Sequence, residues 1–330
     1  MPKVSILCSV YNGDPFLEEC LDSVLNQSFQ DFELIIVDDM SVDATEKILD
    51  QYARRDRRIR VMRNQTRRGL TRNLNLALQE AKGEYLARLD ADDLMAPERL
   101  AQQVAYLDAH PECSLLGSAA SLIDEKGASI GQWQGGQDAN LLRWKAISAN
   151  PLTHGSVMMR NSFLLQHHLT YNESFEVSQD YEFWLRILPL TEAFCLSNPL
   201  YILRCHASSV SSLRRRQQKK NTYRAISAHM LNEYGVSLSY REFLLWRGCV
   251  LGDRQILSRQ GKIKHTKAAL RSHALFFHAF IRRYGLSLPV LADYLKGVIV
   301  PLLRPLRYGH IGVFWKAVVC FTGTSIRGPK

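Results

Sequence analysis

Over its first hundred residues the chain alternates short β-branched runs with longer amphipathic stretches, and few folds accommodate that alternation. Val4–Val10 and Glu33–Val37 read as buried strands, and Ile59–Met62 and Tyr85–Leu89 as shorter ones. Between them lie three stretches of helical periodicity, Pro15–Asn26, Ala44–Tyr52 and Leu70–Ala81. In the first, Phe16, Leu17, Leu21, Val24 and Leu25 share one face. Pro97 reads as the first residue of a further helix, where its missing N–H costs nothing. Strand–helix alternation of this kind requires right-handed crossovers and predicts an α/β fold with a mostly parallel, Rossmann-like sheet flanked by helices. Ligands of such sheets bind at the carboxyl ends of the strands. Farther along, Ser114–Ile123 predicts a strand, Gly131–Gly136 a turn or mobile loop, and Tyr181–Leu188 a helix with Asp180 at its start.

The charge divides the chain in two. Up to Ser212 there are 20 Lys and Arg against 28 Asp and Glu, a net of −8, whereas from Leu213 onward there are 22 against 4, a net of +18. Residues 1–212 are therefore expected to form a catalytic or binding domain, and 213–330 a basic, mainly helical extension drawn to an anionic surface, either membrane headgroups or nucleic acid. Leu286–Leu303 is apolar, but Pro289, Asp293, Lys296 and Pro301 interrupt it, which favours a surface-lying or packed helix over a spanning one. The opening residues Met1–Leu7 do not resemble an export segment. Seven cysteines without framework spacing suggest a reducing compartment, with Cys8 and Cys20 as small buried apolar residues.

Chemistry concentrates in Leu89-Asp90-Ala91-Asp92-Asp93, where three carboxylates follow a strand. Carboxylates so placed repel one another unless a cation sits among them. A hard divalent ion, Mg²⁺ or Mn²⁺, takes one or two carboxylates and fills its remaining positions with phosphate oxygens or water. The same residues also suit a plain helix cap. Asp38-Asp39 ends the second strand, where a carboxylate can accept from a base or ribose; the alternative is a turn, with Asp43 capping the next helix. Arg67, Arg68 and Arg72 flank Gly69-Leu70-Thr71 at a helix entry, a plausible diphosphate site.

These segments, taken in order, resemble the inverting glycosyltransferases called family 2, which have a GT-A fold. The resemblance runs through Val4-Ser5-Ile6-Leu7-Cys8-Ser9-Val10-Tyr11-Asn12, Gln27–Asp39, Gly69-Leu70-Thr71-Arg72-Asn73 and Gly83–Asp93. It is dense over residues 4–110 and thinner to about 212. The resemblance implies that Ser9, Tyr11, Asp39, Arg72 and Asp90 bind the donor nucleotide and that Asp92 and Asp93 hold a divalent metal. In Gln179-Asp180-Tyr181-Glu182-Phe183-Trp184 it implies Asp180 as the base, with Gln179 standing where the family usually has Glu. His154, in Asn150–Arg160, and His206, in Arg204-Cys205-His206-Ala207-Ser208-Ser209-Val210-Ser211, are candidate acceptor or diphosphate contacts.

The expectation is a metal-dependent transferase moving a sugar from a nucleotide-diphosphate donor, most often a UDP-sugar, to a glycan or lipid-linked acceptor hydroxyl. The implied setting is surface polysaccharide or lipopolysaccharide assembly in the cytoplasm, peripheral to the inner face of the membrane. A sugar-nucleotide nucleotidyltransferase would carry a Gly- and Lys-rich loop after the first strand, where Tyr11-Asn12-Gly13-Asp14 stands instead. A nucleic-acid-binding protein has only the basic tail in its favour, and nucleic acid is not an expected partner. Each basic residue near an anionic leaflet contributes about 1 kcal/mol. The protein is therefore expected to sediment with anionic vesicles at low salt and to be released at high salt. Equal partitioning onto neutral vesicles, or none onto either, would remove the membrane role.

Overall fold

The computed structural model describes residues 1–207, 214–237, 239–251 and 263–295. They fall into two compact units, 1–146 with 150–222, and 147–149 with the residues from 223 onward. The expected boundary at 212/213 lies outside the described residues.

In the first unit the alternation becomes β1 (Val4–Val10), α1 (Asp14–Leu25), β2 (Phe32–Asp38), α2 (Thr45–Arg55), β3 (Ile59–Arg63), α3 (Leu70–Glu80) and β4 (Tyr85–Asp90). These strands lie parallel in the order β3-β2-β1-β4. Their burial follows from that order. β1 and β2, inside the sheet, are covered along nearly their whole length, whereas β3, at the edge, exposes part of its surface and ends on Arg63. Because β1 pairs with β2 on one side and β4 on the other, the strand order reverses at β1. The carboxyl ends of β1 and β4 therefore border a crevice.

Beyond β4 the sheet turns mixed. A short β5 (Leu94–Met95) and α4 (Arg99–Ala109) lead to β6 (Cys113–Ile123), β7 (Ser129–Trp133) and α5 (Ala139–Ala146). After a single 3₁₀ turn at His154–Ser156 come β8 (Met158–Arg160), α6 (Asn161–Gln166), α7 (Gln179–Ile187) and β9 (Glu192–Arg204). The sheet continues β8-β6-β9-β5, antiparallel except for the β6–β9 pair. Two expectations change here. Helix α4 starts at Arg99 rather than Pro97, and the Pro97 carbonyl instead accepts the Ser28 N–H. Gly131, expected in a loop, lies within β7, which pairs only with β6; an edge position tolerates the weak strand propensity of glycine.

The second unit is helical, with α8 (Arg215–Tyr234, of which 223 onward belongs here), α9 (Tyr240–Leu251) and α10 (Ile263–Tyr284). Phe243, Trp246, Phe276 and Phe280 are buried in it, and Trp246 meets Phe276 edge-on at 4.8 Å. No helix among the described residues is long and apolar enough to cross a membrane. The 296–303 part of Leu286–Leu303 lies outside the described residues. In the first unit Cys8, Cys20, Cys113 and Cys195 are buried, and Cys205 is exposed.

One glycine is set by contact rather than by conformation. A Cβ on Gly155 would lie 1.8 Å from the Tyr201 hydroxyl of β9. Gly155→Ala must displace Tyr201, and overpacking of this kind costs about 1–3 kcal/mol. A lowered urea midpoint with an unchanged slope is expected; an unaltered midpoint would mean that the 3₁₀ turn and β9 do not meet so closely.

Candidate active site

The acidic turn after β4 is held from below and from the side. Arg88 and Arg99, both fully buried, lie beneath it. The Arg88 guanidinium pairs with the Asp90 carboxylate, and Arg99 Nη2 donates to the carbonyls of Arg88 (2.9 Å) and Val157 (3.2 Å). Burial drives the Arg99 pKa down to about 10; at Arg88 burial also pulls downward, but Asp90 together with Tyr171, Cys8 and Tyr201 outweighs it and the pKa rises. From the side, the Tyr201 hydroxyl donates to Asp93 Oδ2 (2.6 Å) and accepts the Asp90 N–H (3.3 Å), while the Arg204 N–H donates to Asp93 Oδ1 (2.7 Å). Asp93, expected beside Asp92 as a metal ligand, thus has both oxygens engaged by β9 and is only 2% exposed. Burial, with Asp90 and Asp92 nearby, raises its pKa well above the carboxylate range.

Asp92 points the other way. Its carboxylate remains partly exposed, and Oδ2 lies 2.8 Å from His206 Nε2. Asp90, Asp92 and His206 line a cleft of about 920 Å³ together with Asn150, His154 and Asp180. One open carboxylate with an imidazole suits a hard cation that shares its shell with a diphosphate. Among the described residues no group of three or more such side chains forms a closed metal cage.

Asp180 stands in the first turn of α7, after Ser178 in the left-handed region (φ 61°). Asn150 Nδ2 donates to its Oδ2 at 2.6 Å. Burial raises the Asp180 pKa, the Tyr181 N–H and Asn150 oppose that rise, and Asp90 adds to it. His154 also borders the cleft, but its Nε2 is 2.9 Å from the Tyr171 hydroxyl and its ring lies against Tyr171 and Trp184. Burial, then the Arg88 charge, lowers its pKa far below the usual range, so its imidazole is neutral and tied to the wall.

The loops after β1 and β2 bring most of the expected donor residues together. Asn73 of α3 donates to the Ser9 hydroxyl (3.0 Å) and accepts from Asn64, which also donates to Asp39 Oδ1. The N–H groups of Arg68 (2.8 Å) and Gly69 (2.9 Å) reach the Asp39 carboxylate. Asp39, expected to meet a base, is thus first of all the clamp of the 64–69 loop. Burial works to raise its pKa, but those donors outweigh it and lower it. Arg67 lies 3.5 Å over the ring of Tyr11, which is 39% exposed. Arg72 is exposed, pairs with Glu173 at 3.2 Å and, like Ser9, Tyr11 and Asp39, is not among the residues lining the cleft. Its neighbours Thr71 and Asn75 bond to the 171–175 loop, so that this part of α3 is turned to that loop.

The pattern of the family described as "Glycosyl transferase family 2" matches residues 5–178. A relative from Bacillus subtilis, the putative glycosyltransferase EpsE, is 38% identical over 164 residues, a stretch covering 49% of this chain and 57% of that relative. Among solved structures, Staphylococcus aureus TarS 1–349 in complex with UDP-GlcNAc superimposes with a TM-score of 0.61 at 21% identity, covering 98% of this chain and 93% of that one. The mannosyltransferase PcManGT of Pyrobaculum calidifontis, in complex with GDP-Man and Mn²⁺, gives 0.56 at 21% identity over 97% of this chain and 87% of that one. Likeness at that identity establishes the GT-A fold.

Sequence reasoning missed Tyr201, Arg204 and Asn150 as parts of the site, although Arg204 and Asn150 fell inside segments that it singled out for their histidines. It also missed the Asn64–Asn73 pair that supports Asp39. Asp39→Asn replaces one acceptor oxygen with a donor facing the loop's N–H groups. Leaving such a group unsatisfied costs about 1–3 kcal/mol. Because the Asp39 pKa is depressed on folding, its contribution is present above the unfolded value and fades as pH falls through the lower folded value. Urea unfolding should therefore separate variant from wild type at pH 7 and bring them together in strong acid. A gap that persists undiminished in acid would refute the role of the carboxylate charge.

Proposed function

This chain belongs to glycosyl transferase family 2, and on that premise we propose that it moves a sugar from a UDP-sugar to a hydroxyl of a glycan or lipid-linked acceptor, with inversion at the anomeric carbon. The setting is assembly of a surface polysaccharide or lipopolysaccharide. The observation that carries this reading is the single cleft shared by Asp180, Asp92 and His206. Two proteins of the same fold are solved with UDP-GlcNAc and with GDP-Man and Mn²⁺, which supports a nucleoside-diphosphate sugar as the ligand class.

In the proposed step the acceptor oxygen attacks the anomeric carbon as the bond to the diphosphate oxygen breaks. The acceptor proton passes to the Asp180 carboxylate, and the nucleoside diphosphate leaves. Asn150 fixes one Asp180 oxygen, and the raised pKa brings the group nearer the range in which a base is effective at neutral pH. A divalent ion, Mg²⁺ or Mn²⁺, supplies charge neutralisation at the diphosphate when bound, and Asp92 with His206 would hold it. Ser9, Tyr11 and the loop clamped by Asp39 would receive the nucleoside, and the basic region from 213 onward would bring the cleft to an anionic membrane carrying the acceptor.

Asp180→Asn should retain UDP binding and lose about 10²–10⁴-fold in transfer, the usual contribution of a general base. UDP release reports transfer, and calorimetric titration reports binding. Loss of UDP affinity with transfer retained would move Asp180 into the donor site and end its assignment as base. In the parallel variant Asp92→Asn, wild-type turnover at saturating Mn²⁺ would end the metal assignment.

A further inference from the structure

Arg204, the last residue of β9, is buried and touches several elements around the cleft. Its main-chain N–H holds Asp93, and its Nε donates to the Asp92 carbonyl at 3.0 Å. Its Nη2 lies 2.6 Å from Glu19 of α1, and its side chain is only 2% exposed. The guanidinium also lies 4.6 Å over the ring of Phe16, whose other neighbour, at 5.3 Å, is the His206 imidazole. Two residues beyond Arg204 the chain places that imidazole on Asp92. The turn carrying Asp92 and the segment carrying His206 leave the sheet from different strands, and Arg204 is the side chain that fastens both to α1.

We propose that Arg204, anchored by Glu19 and Phe16, is a positioning residue that sets Asp92 and His206 at the spacing needed to receive a divalent cation together with a nucleoside diphosphate. The inference rests on the family 2 transferase reading and adds residues to it. Arginine suits the task because its planar fork presents several donors in fixed directions, so that one side chain can serve the Asp92 carbonyl and Glu19 at once. Lysine, a point charge on a flexible stem, cannot hold both in the same geometry. Supporting groups of this kind commonly tune metal affinity by about 10–100-fold.

The test compares the full chain with Arg204→Lys and Glu19→Gln, with Asp92→Asn as reference. Mn²⁺ binding is read by electron paramagnetic resonance in the presence and absence of UDP, alongside thermal melting. Arg204→Lys is expected to weaken Mn²⁺ binding in the presence of UDP by about 10-fold or more. Metal-free UDP binding and the melting temperature should stay near wild type. Glu19→Gln should act in the same direction and less strongly. A folded Arg204→Lys with wild-type Mn²⁺ affinity, while Asp92→Asn has lost it, overturns the positioning role and leaves the transferase reading standing. If Arg204→Lys does not fold, Glu19→Gln decides, and unchanged Mn²⁺ affinity there overturns the proposal. A wild-type chain that binds neither UDP nor Mn²⁺ overturns the reading and the inference together.

Discussion

Tyr201 and Arg204 reach from β9 to the turn after β4 and engage the Asp90 N–H, the Asp92 carbonyl and both oxygens of Asp93. Three carboxylates within four residues would otherwise repel one another at a sheet edge. The protein resolves that repulsion by giving each a different environment. Asp90 pairs with a buried arginine, Asp93 is buried with a raised pKa and two donors, and Asp92 lies partly exposed beside an imidazole. The register of β9 against β6 and β5 therefore bears on the chemistry of the turn as directly as the acids themselves do.

The buried arginines belong to the same constraint. Arg88 and Arg99 are costly in the core unless their charges and donors are answered. Asp90, the Arg88 and Val157 carbonyls and Gln103 answer most of them, although Arg88 Nε and Arg99 Nη1 find no partner among the described residues. Removing one member of such a network strands the others. Gly155 enters here too, since only a residue without a side chain lets Tyr201 reach the turn.

On the opposite side of the crevice the strand-order reversal at β1 does the positioning. Loops from β1 and β2 are laced together by Asp39, Asn64 and Asn73, which leaves Tyr11 presented at the surface under Arg67. This side is thus built from short loops on a parallel half-sheet. The Asp180 side is built from the antiparallel half and α7, with Asn150 as its hydrogen-bonding partner.

The sequence by itself determined the parallel half-sheet almost residue by residue, because burial on both faces leaves β-branched runs that period and length identify. It also placed the acids at strand ends, and the order of its motifs identified the family. What only the tertiary structure decided is the environment that each acid occupies. Asp93 was indistinguishable from Asp92 in the turn, and their surroundings differ only through Tyr201, Arg204 and His206, more than a hundred residues away. Arg72 stands at a helix entry in the sequence, and only the fold shows Thr71 and Asn75 docking α3 on the 171–175 loop and Arg72 paired with Glu173. Local periodicity encodes the face that a residue presents. The partner it meets there depends on strand register and on chain segments that no local pattern contains.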